Sequence, residues 1–350
     1  MQNSGTTLVK DDTKYFDGTS SITNSVLEWE NAEFVGTIGL WEGGQLKLKN
    51  SSAIELSGQV EGVGMIEKDA NSTGDLLLKG NNSRFSGIFK LSSGTAIVED
   101  ENGTQYFTGI TSITSKGVLV LGQGAEVVGG HIELWDVSGD MNTAGTLNMT
   151  KENESIAFST SAVLGNGIIN KSGNTVLNIV GDCTGFTGTF FESQERTVVR
   201  GGYFTGYSSI TEQSVLEMAS GSDLSGGGTI GLWNTGVMDI TTPGNLTFSS
   251  GITGTAGTKI TKAGTGTLEL SGDNSGFQGL YWQNNGTTTI NGKYFIGYSS
   301  ITGQSVLEMA NGSDLSGGGT IGLWDTGIMN IKTEKDLEHS RKYRGRRIYR

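Results

Sequence analysis

The chain has 350 residues, among them 57 glycines, one proline and one cysteine, with a formal net charge of -12. Six of its 24 Lys and Arg fall in the last ten residues, leaving 18 cations against 36 carboxylates, an acidic body that excludes nucleic acid and anionic lipid as partners. No apolar run reaches the roughly 18 residues of a membrane-spanning helix, residues 1–10 lack a signal-peptide pattern, and Cys183 can close no internal disulfide.

Taken in chain order, the sequence writes one long unit four times. A Tyr-Phe pair stands at Tyr15-Phe16, Tyr106-Phe107, Tyr203-Phe204 and Tyr294-Phe295, spaced by 91, 97 and 91 residues. SSIT or TSIT follows each pair, and then a Leu-Trp pair, at Leu40-Trp41, Leu134-Trp135, Leu232-Trp233 and Leu323-Trp324. A second element intervenes three times: GMIEKDANSTGDLLLKGNNSRFSG from Gly64, GIINKSGNTVLNIVGDCTGFTG from Gly167, and TKITKAGTGTLELSGDNSGFQG from Thr258. Its landmarks are Lys68, Lys171 and Lys262, then Phe85, Phe186 and Phe277. Residues 214–233 and 305–324 are identical except for Ser220 and Asn311. The chain begins partway through a unit, because GTTLVKDDTKYF from Gly5 matches GTTTINGKYF from Gly286. The repeat stops at Leu337, and neither end has the character of a solenoid cap. The expectation is therefore a fragment of a longer protein, with one repeat domain over 1–337 and a basic, disordered tail over 338–350.

Within the unit, short alternating runs (VLEM, TIGLW, TLELSG, TTTING) are separated by glycine-rich turn sequences, and glycine interrupts nearly every helical window. The fold expected is all-β. A propeller would need blades of about 90 residues, roughly double the usual size. A right-handed parallel β-helix needs about 20–25 residues per coil, hence about four coils per long unit, about 15 in all, and about 70 Å of stacked strands. Alternation places Leu268 and Leu270 inward with Thr267 and Glu269 outward, and one member of each Tyr-Phe pair inward. Trp41, Trp135, Trp233 and Trp324 recur at a fixed position and are expected as core or corner residues. The alternative for them is a carbohydrate-stacking row along one side.

The segment TKITKAGTGTLELSGDNSGFQGLYWQNNGTTTING from Thr258 resembles the autotransporter-associated β-strand repeat of bacterial passenger proteins. The resemblance rests on Lys262, Gly264, Gly266, Thr267, Leu268, Leu270, Ser271, Gly272, Asn274, Phe277 and Gly279. The copies from Gly64 and Gly167 fit more loosely, the latter with Cys183 at the Asn position, so about a third of the chain matches closely. The resemblance implies a right-handed parallel β-helical passenger, adhesin or stalk at the bacterial cell surface or outside the cell. It supplies no catalytic residues, and the export signal and membrane barrel of that family are expected outside this fragment.

Candidate chemistry is sparse. Asp223, Asp314, Glu217 and Glu308 are the carboxylates that could serve a polysaccharide lyase or hydrolase, which needs two or three clustered acids. Each occurs at the same place in two successive units, whereas an active site is a single asymmetric constellation, so turn or capping roles are expected. His131 and His339 have no Ser/His/Asp or Cys/His grouping beside them, and two histidines with one cysteine give zinc no ligand set. GSDLSGGG resembles a Ca²⁺-binding β-roll nonapeptide, but it appears once per unit, without a tandem copy. Asn-x-Ser/Thr triplets such as those at Asn81 and Asn245 are expected from composition alone. The sequence thus points to no catalytic, cofactor-binding or metal residues and to a non-enzymatic stalk and contact surface, the alternative being a carbohydrate-active β-helix enzyme. Its partners would be host or neighbouring-cell surface glycans or proteins.

Overall fold

The structure, a computed structural model, describes residues 1–10, 14–15, 18–99, 104–126, 129–150, 152, 155–158, 163–332 and 342–345. Strands form where side chains alternate. In Val215–Met218 and Thr267–Leu270 the second and fourth residues are buried and the first and third half-buried. Gln45–Leu48 and Val118–Leu121 repeat the pattern. Leu268 and Leu270 point into the core as expected, each such side chain contributing about 1.5–3 kcal/mol by leaving water.

The chain divides into two compact units, Met1–Thr175 and Val176–Arg350, and each is a parallel β-solenoid. In the first, one sheet of eight strands runs from Thr6–Lys10 to Val163–Gly165. A second sheet includes Ile54–Leu56, Leu76–Leu78, Thr95–Val98, Val118–Leu121 and Thr146–Met149, and a third holds Thr19–Thr23, Thr37–Trp41 and Gln59–Gly62. In the second unit, one sheet holds Val176–Ile179, Arg196–Val199, Val215–Met218, Val237–Ile240, Lys259–Lys262, Leu280–Gln283, Tyr298–Ile301 and Thr320–Leu323. Another contains Thr189–Glu192, Tyr207–Ile210, Thr229–Leu232 and Ile252–Gly254. The third contains Leu246–Phe248, Thr267–Leu270, Thr287–Ile290, Val306–Met309 and Ile328–Ile331. The described strands make about 14 turns, against about 15 expected. In the basic tail, Lys342–Gly345 pairs in parallel with Thr320–Leu323; the rest of 338–350 lies outside the described residues, His339 included.

The phase of the long repeat differs from the expected four coils. One turn of the second unit takes from 18 residues (Leu280↔Tyr298) to 22 (Val215↔Val237), so 91 residues are not a whole number of turns. After Thr229–Leu232 the chain places Val237–Ile240, Lys259–Lys262, Leu280–Gln283 and Tyr298–Ile301 on the next face before Thr320–Leu323 arrives there as the fifth strand. The two TIGL strands are thus four turns and one further face apart, on different sheets. The first unit obeys the same rule: Thr37–Trp41 lies on one sheet and His131–Leu134 on another.

The Tyr-Phe pairs also depart from expectation. Tyr106 and Phe107, Tyr203 and Phe204, and Tyr294 and Phe295 are all buried, because they occupy corners outside the strands, where face alternation does not apply. Each Phe joins an aromatic knot. Phe107 meets Phe85 and Phe89 at 5.1 and 5.4 Å, Phe204 meets Phe186 and Phe190 at 5.1 and 5.2 Å, and Phe295 meets Phe277 and Tyr281 at 5.0 and 5.1 Å. Of the first pair, Phe16 lies outside the described residues.

Candidate functional site

The repeated carboxylates are built into the backbone. Asp223 and Asp314 each accept the amide N–H of the residue two positions on, Ser225 and Ser316, at 2.8 Å, closing Asx turns at solenoid corners. Their own backbones bridge to neighbouring turns, Asp223 to Gly202 and Asp314 to Lys293. The Ser316 hydrogen bonds hold the Asp314 carboxyl below the usual range. Asp182 and Asp273 make the same turn to Thr184 and Ser275, and Lys293, 2.8 Å from Asp273, helps pull that carboxyl down to about 2. Asn81 does the same with Ser83. Glu217 pairs with Arg196 at 2.7 Å and Glu308 with Lys332 at 2.7 Å, both across rungs of a solvent-facing ladder. These four candidates are therefore dispersed by repeat position and are not brought together.

His131 lies on an outward strand position with Nε2 3.4 Å from Glu133. Among the described residues no group of three or more His, Cys, Asp or Glu could hold a metal ion. The glycine triplet of GSDLSGGG is a turn, with Leu224 and Leu315 tucked into the core and Gly227 and Gly318 at φ +73° and +78°. A shallow depression lined by Met1, Gln2, Thr7 and residues 18–22 contains no ionisable side chain beyond the amino terminus.

Two buried features were legible only as landmarks. Lys68 and Lys262 point inward and are fully buried, their ammonium groups donating to backbone carbonyls: Lys68 to Ser72 and to Ser93 at 3.2 Å, Lys262 to Gly264 and to Asn285 at 3.4 Å. Burial lowers both, Lys262 to about 8. Gly286, at φ +67°, leaves the room this requires, since a Cβ there would stand 2.5 Å from Lys262 Nζ. Asn82 and Asn274 tie rungs together: Asn274 accepts from Ile252 N at 3.0 Å and donates to the carbonyls of Gly272 and Lys293 at 3.1 Å.

The tryptophans overturn the core assignment. Trp41, Trp135 and Trp324 are 41, 39 and 42% exposed and Trp233 is half-buried. Each follows the last inward Leu of its strand, and its ring folds back over the residue two places earlier. That residue is Gly39, Gly231 or Gly322, where a Cβ would come within 2.6–2.7 Å of the indole nitrogen. In the second copy it is Glu133, which accepts the Trp135 N–H at 3.3 Å. The expected alternative, a single row of rings, fails too, because successive copies lie on different sheets within each unit.

Instead, rings gather locally in the second unit. Trp282, Tyr298 and Trp324 stand on three consecutive strands of one sheet, with Trp282 paired to Ser300 and Ser300 to Gly322. The Trp324 N–H donates to the Tyr298 hydroxyl at 3.2 Å, and Lys259 lies over the Trp282 ring at 4.6 Å. Exactly 91 residues earlier would be too strict a phrase for chemistry but not for position: Phe191, Tyr207 and Trp233 occupy the matching places on another sheet, with Phe191 paired to Ser209 and Ser209 to Gly231. There the Trp233 N–H donates to the Tyr207 hydroxyl at 3.0 Å. In the first unit the matching outward positions on Ile88–Leu91, Ile110–Ile113 and His131–Leu134 are filled by Lys90, Ile110 and Glu133.

No protein-family description matches the chain, and no solved structure matches it. A similar protein is the uncharacterized lipoprotein YdeK of Escherichia coli (strain K12), 28% identical over 161 residues. The match covers 46% of this chain and 12% of that relative's length.

Proposed function

We propose that the chain is part of a surface-exposed or secreted bacterial passenger of the autotransporter-associated repeat type, acting without catalysis as a stiff stalk and contact surface. The observation that carries this reading is the solenoid itself: an apolar interior at each turn, stitched by buried Lys and Asn, beneath an exterior of polar ladders. Such stacking resists bending because each turn is held by its neighbours on every face. Similarity to a lipoprotein supports a cell-envelope location. Its candidate acids are engaged in Asx turns and cross-rung ion pairs, which suits support better than proton transfer. The test is labelling of intact cells expressing the full-length gene with a membrane-impermeant amine-reactive biotin. The chain should be labelled without lysis; labelling only after lysis would overturn the surface assignment.

A further inference from the structure

We infer that Trp282–Tyr298–Trp324 and its counterpart Phe191–Tyr207–Trp233 are stacking platforms for a neutral polysaccharide chain. Ring presentation comes first. Gly231 and Gly322 let the indole lie flat on the sheet, and the indole N–H is already bonded to the neighbouring Tyr hydroxyl. Polar edges are satisfied within the pair while the ring faces stay open. Exposed aromatic faces grouped in this way are contact surfaces rather than incidental exposure.

Charge selects the partner. On Leu280–Gln283, Tyr298–Ile301 and Thr320–Leu323 the outward residues are Leu280, Trp282, Tyr298, Ser300, Thr320 and Gly322, none of them ionisable near neutrality. The outward residues of the other platform, from Thr189 to Gly231, are equally uncharged. The adjacent Lys259 is occupied by the Trp282 ring. An anionic chain would meet no free cation at the rings and an acidic body around them. A narrow strip of rings bordered by Ser and Thr hydroxyls complements a pyranose chain, whose apolar faces alternate with hydroxyl edges. Strand spacing of about 4.8 Å sets successive rings at a pitch close to one sugar per rung. The first unit, with Lys90 and Glu133 in the matching places, is not such a platform.

This rests on the contact-surface reading but fails separately from it. The test is a tryptophan-fluorescence titration of the full chain with neutral hexasaccharides of β-1,4-glucose, β-1,4-N-acetylglucosamine and α-1,4-glucose, with polygalacturonate as the anionic control. Saturable binding of at least one neutral sugar below about 1 mM is expected, weakened at least about tenfold when Phe191, Trp233, Trp282 and Trp324 are all changed to Ala. Gly322→Ser, which lifts the Trp324 ring without removing it, should weaken the binding of that platform while far-UV circular dichroism stays unchanged. No saturable response to any of the three sugars, binding that survives the fourfold substitution, or equal affinity for polygalacturonate would overturn the proposal. So would self-association abolished by the fourfold substitution without a sugar response, which would assign the faces to a second copy of the chain. A chain labelled on intact cells that binds no sugar loses the platforms and keeps the stalk.

Discussion

Lys262→Met isolates the buried ammonium, because methionine keeps the unbranched stem and removes the charge. Lys262 is fully buried and its pKa is drawn from 10.5 to about 8 by loss of water. Below pH 8 both the folded and unfolded chains carry the proton, and above about 10.5 neither does. Between these values the unfolded chain holds a proton that the folded chain has released, so Lys262 makes stability rise with pH. A depression of two to three units corresponds to about 3 kcal/mol across that window. Buried Tyr106, Tyr203 and Tyr281 act in the opposite sense, since their raised pKa values cost stability once unfolded tyrosines ionise near 10. The difference between parent and variant cancels them. Urea midpoints followed by fluorescence at pH 7, 8, 9, 10 and 10.5 should give a parent-minus-variant stability that is flat to pH 8 and then climbs by up to about 3 kcal/mol. A flat difference throughout, or one that falls, would refute the assignment of a buried ammonium at this position.

Asn274→Ala should lower stability by about 1–3 kcal/mol in urea titrations, since Ile252 N–H and two carbonyls lose a buried partner. Phe295→Ala should cost about 3–5 kcal/mol by opening a cavity between Phe277 and Tyr281, whereas Trp324→Ala, on the exposed face, should leave the melting temperature within a few degrees of the parent. In a spectrophotometric titration Tyr106, Tyr203 and Tyr281 should remain protonated until the fold is lost, so part of the tyrosine absorbance should appear together with unfolding.

Much of the fold was legible because the period-two signal is local. TLEL states its own inward and outward residues, and Asp223 two positions before Ser225 states an Asx turn. The Tyr-Phe pairs were misread because alternation was extended into corners, where no strand geometry sorts the side chains. The tryptophans were misread because size and repetition suggested burial. The opposing signal lay in Gly-Leu-Trp, since a glycine two residues before an indole leaves a bed for it on the outer surface. Tyr298 and Trp282 were invisible as partners of Trp324, because their approach depends on turn lengths of 18 and 22 residues rather than on any motif.

Those turn lengths make the turn, and not the 91-residue repeat, the unit of folding. Residues 237–258 form one turn, and Val237 is the register partner of Lys259, so joining Gly236 to Lys259 brings an equivalent strand into the vacated position. That deletion of 22 residues should retain the β-sheet circular dichroism spectrum and lower the melting temperature only modestly, since each turn is held mainly by its nearest neighbours. Removing 237–247 instead leaves about half a turn, puts inward leucines out of phase with the faces they fill, and should abolish cooperative melting. If the two deletions behaved alike, or the one-turn deletion were the more damaging, the long repeat would be the structural unit after all. On the turn-based reading, duplication of 91 residues carries each copy of the GLW strand onto a new face. The two aromatic platforms of the second unit therefore present rings on different sheets, suited to engaging separate glycan chains rather than one chain along a single row.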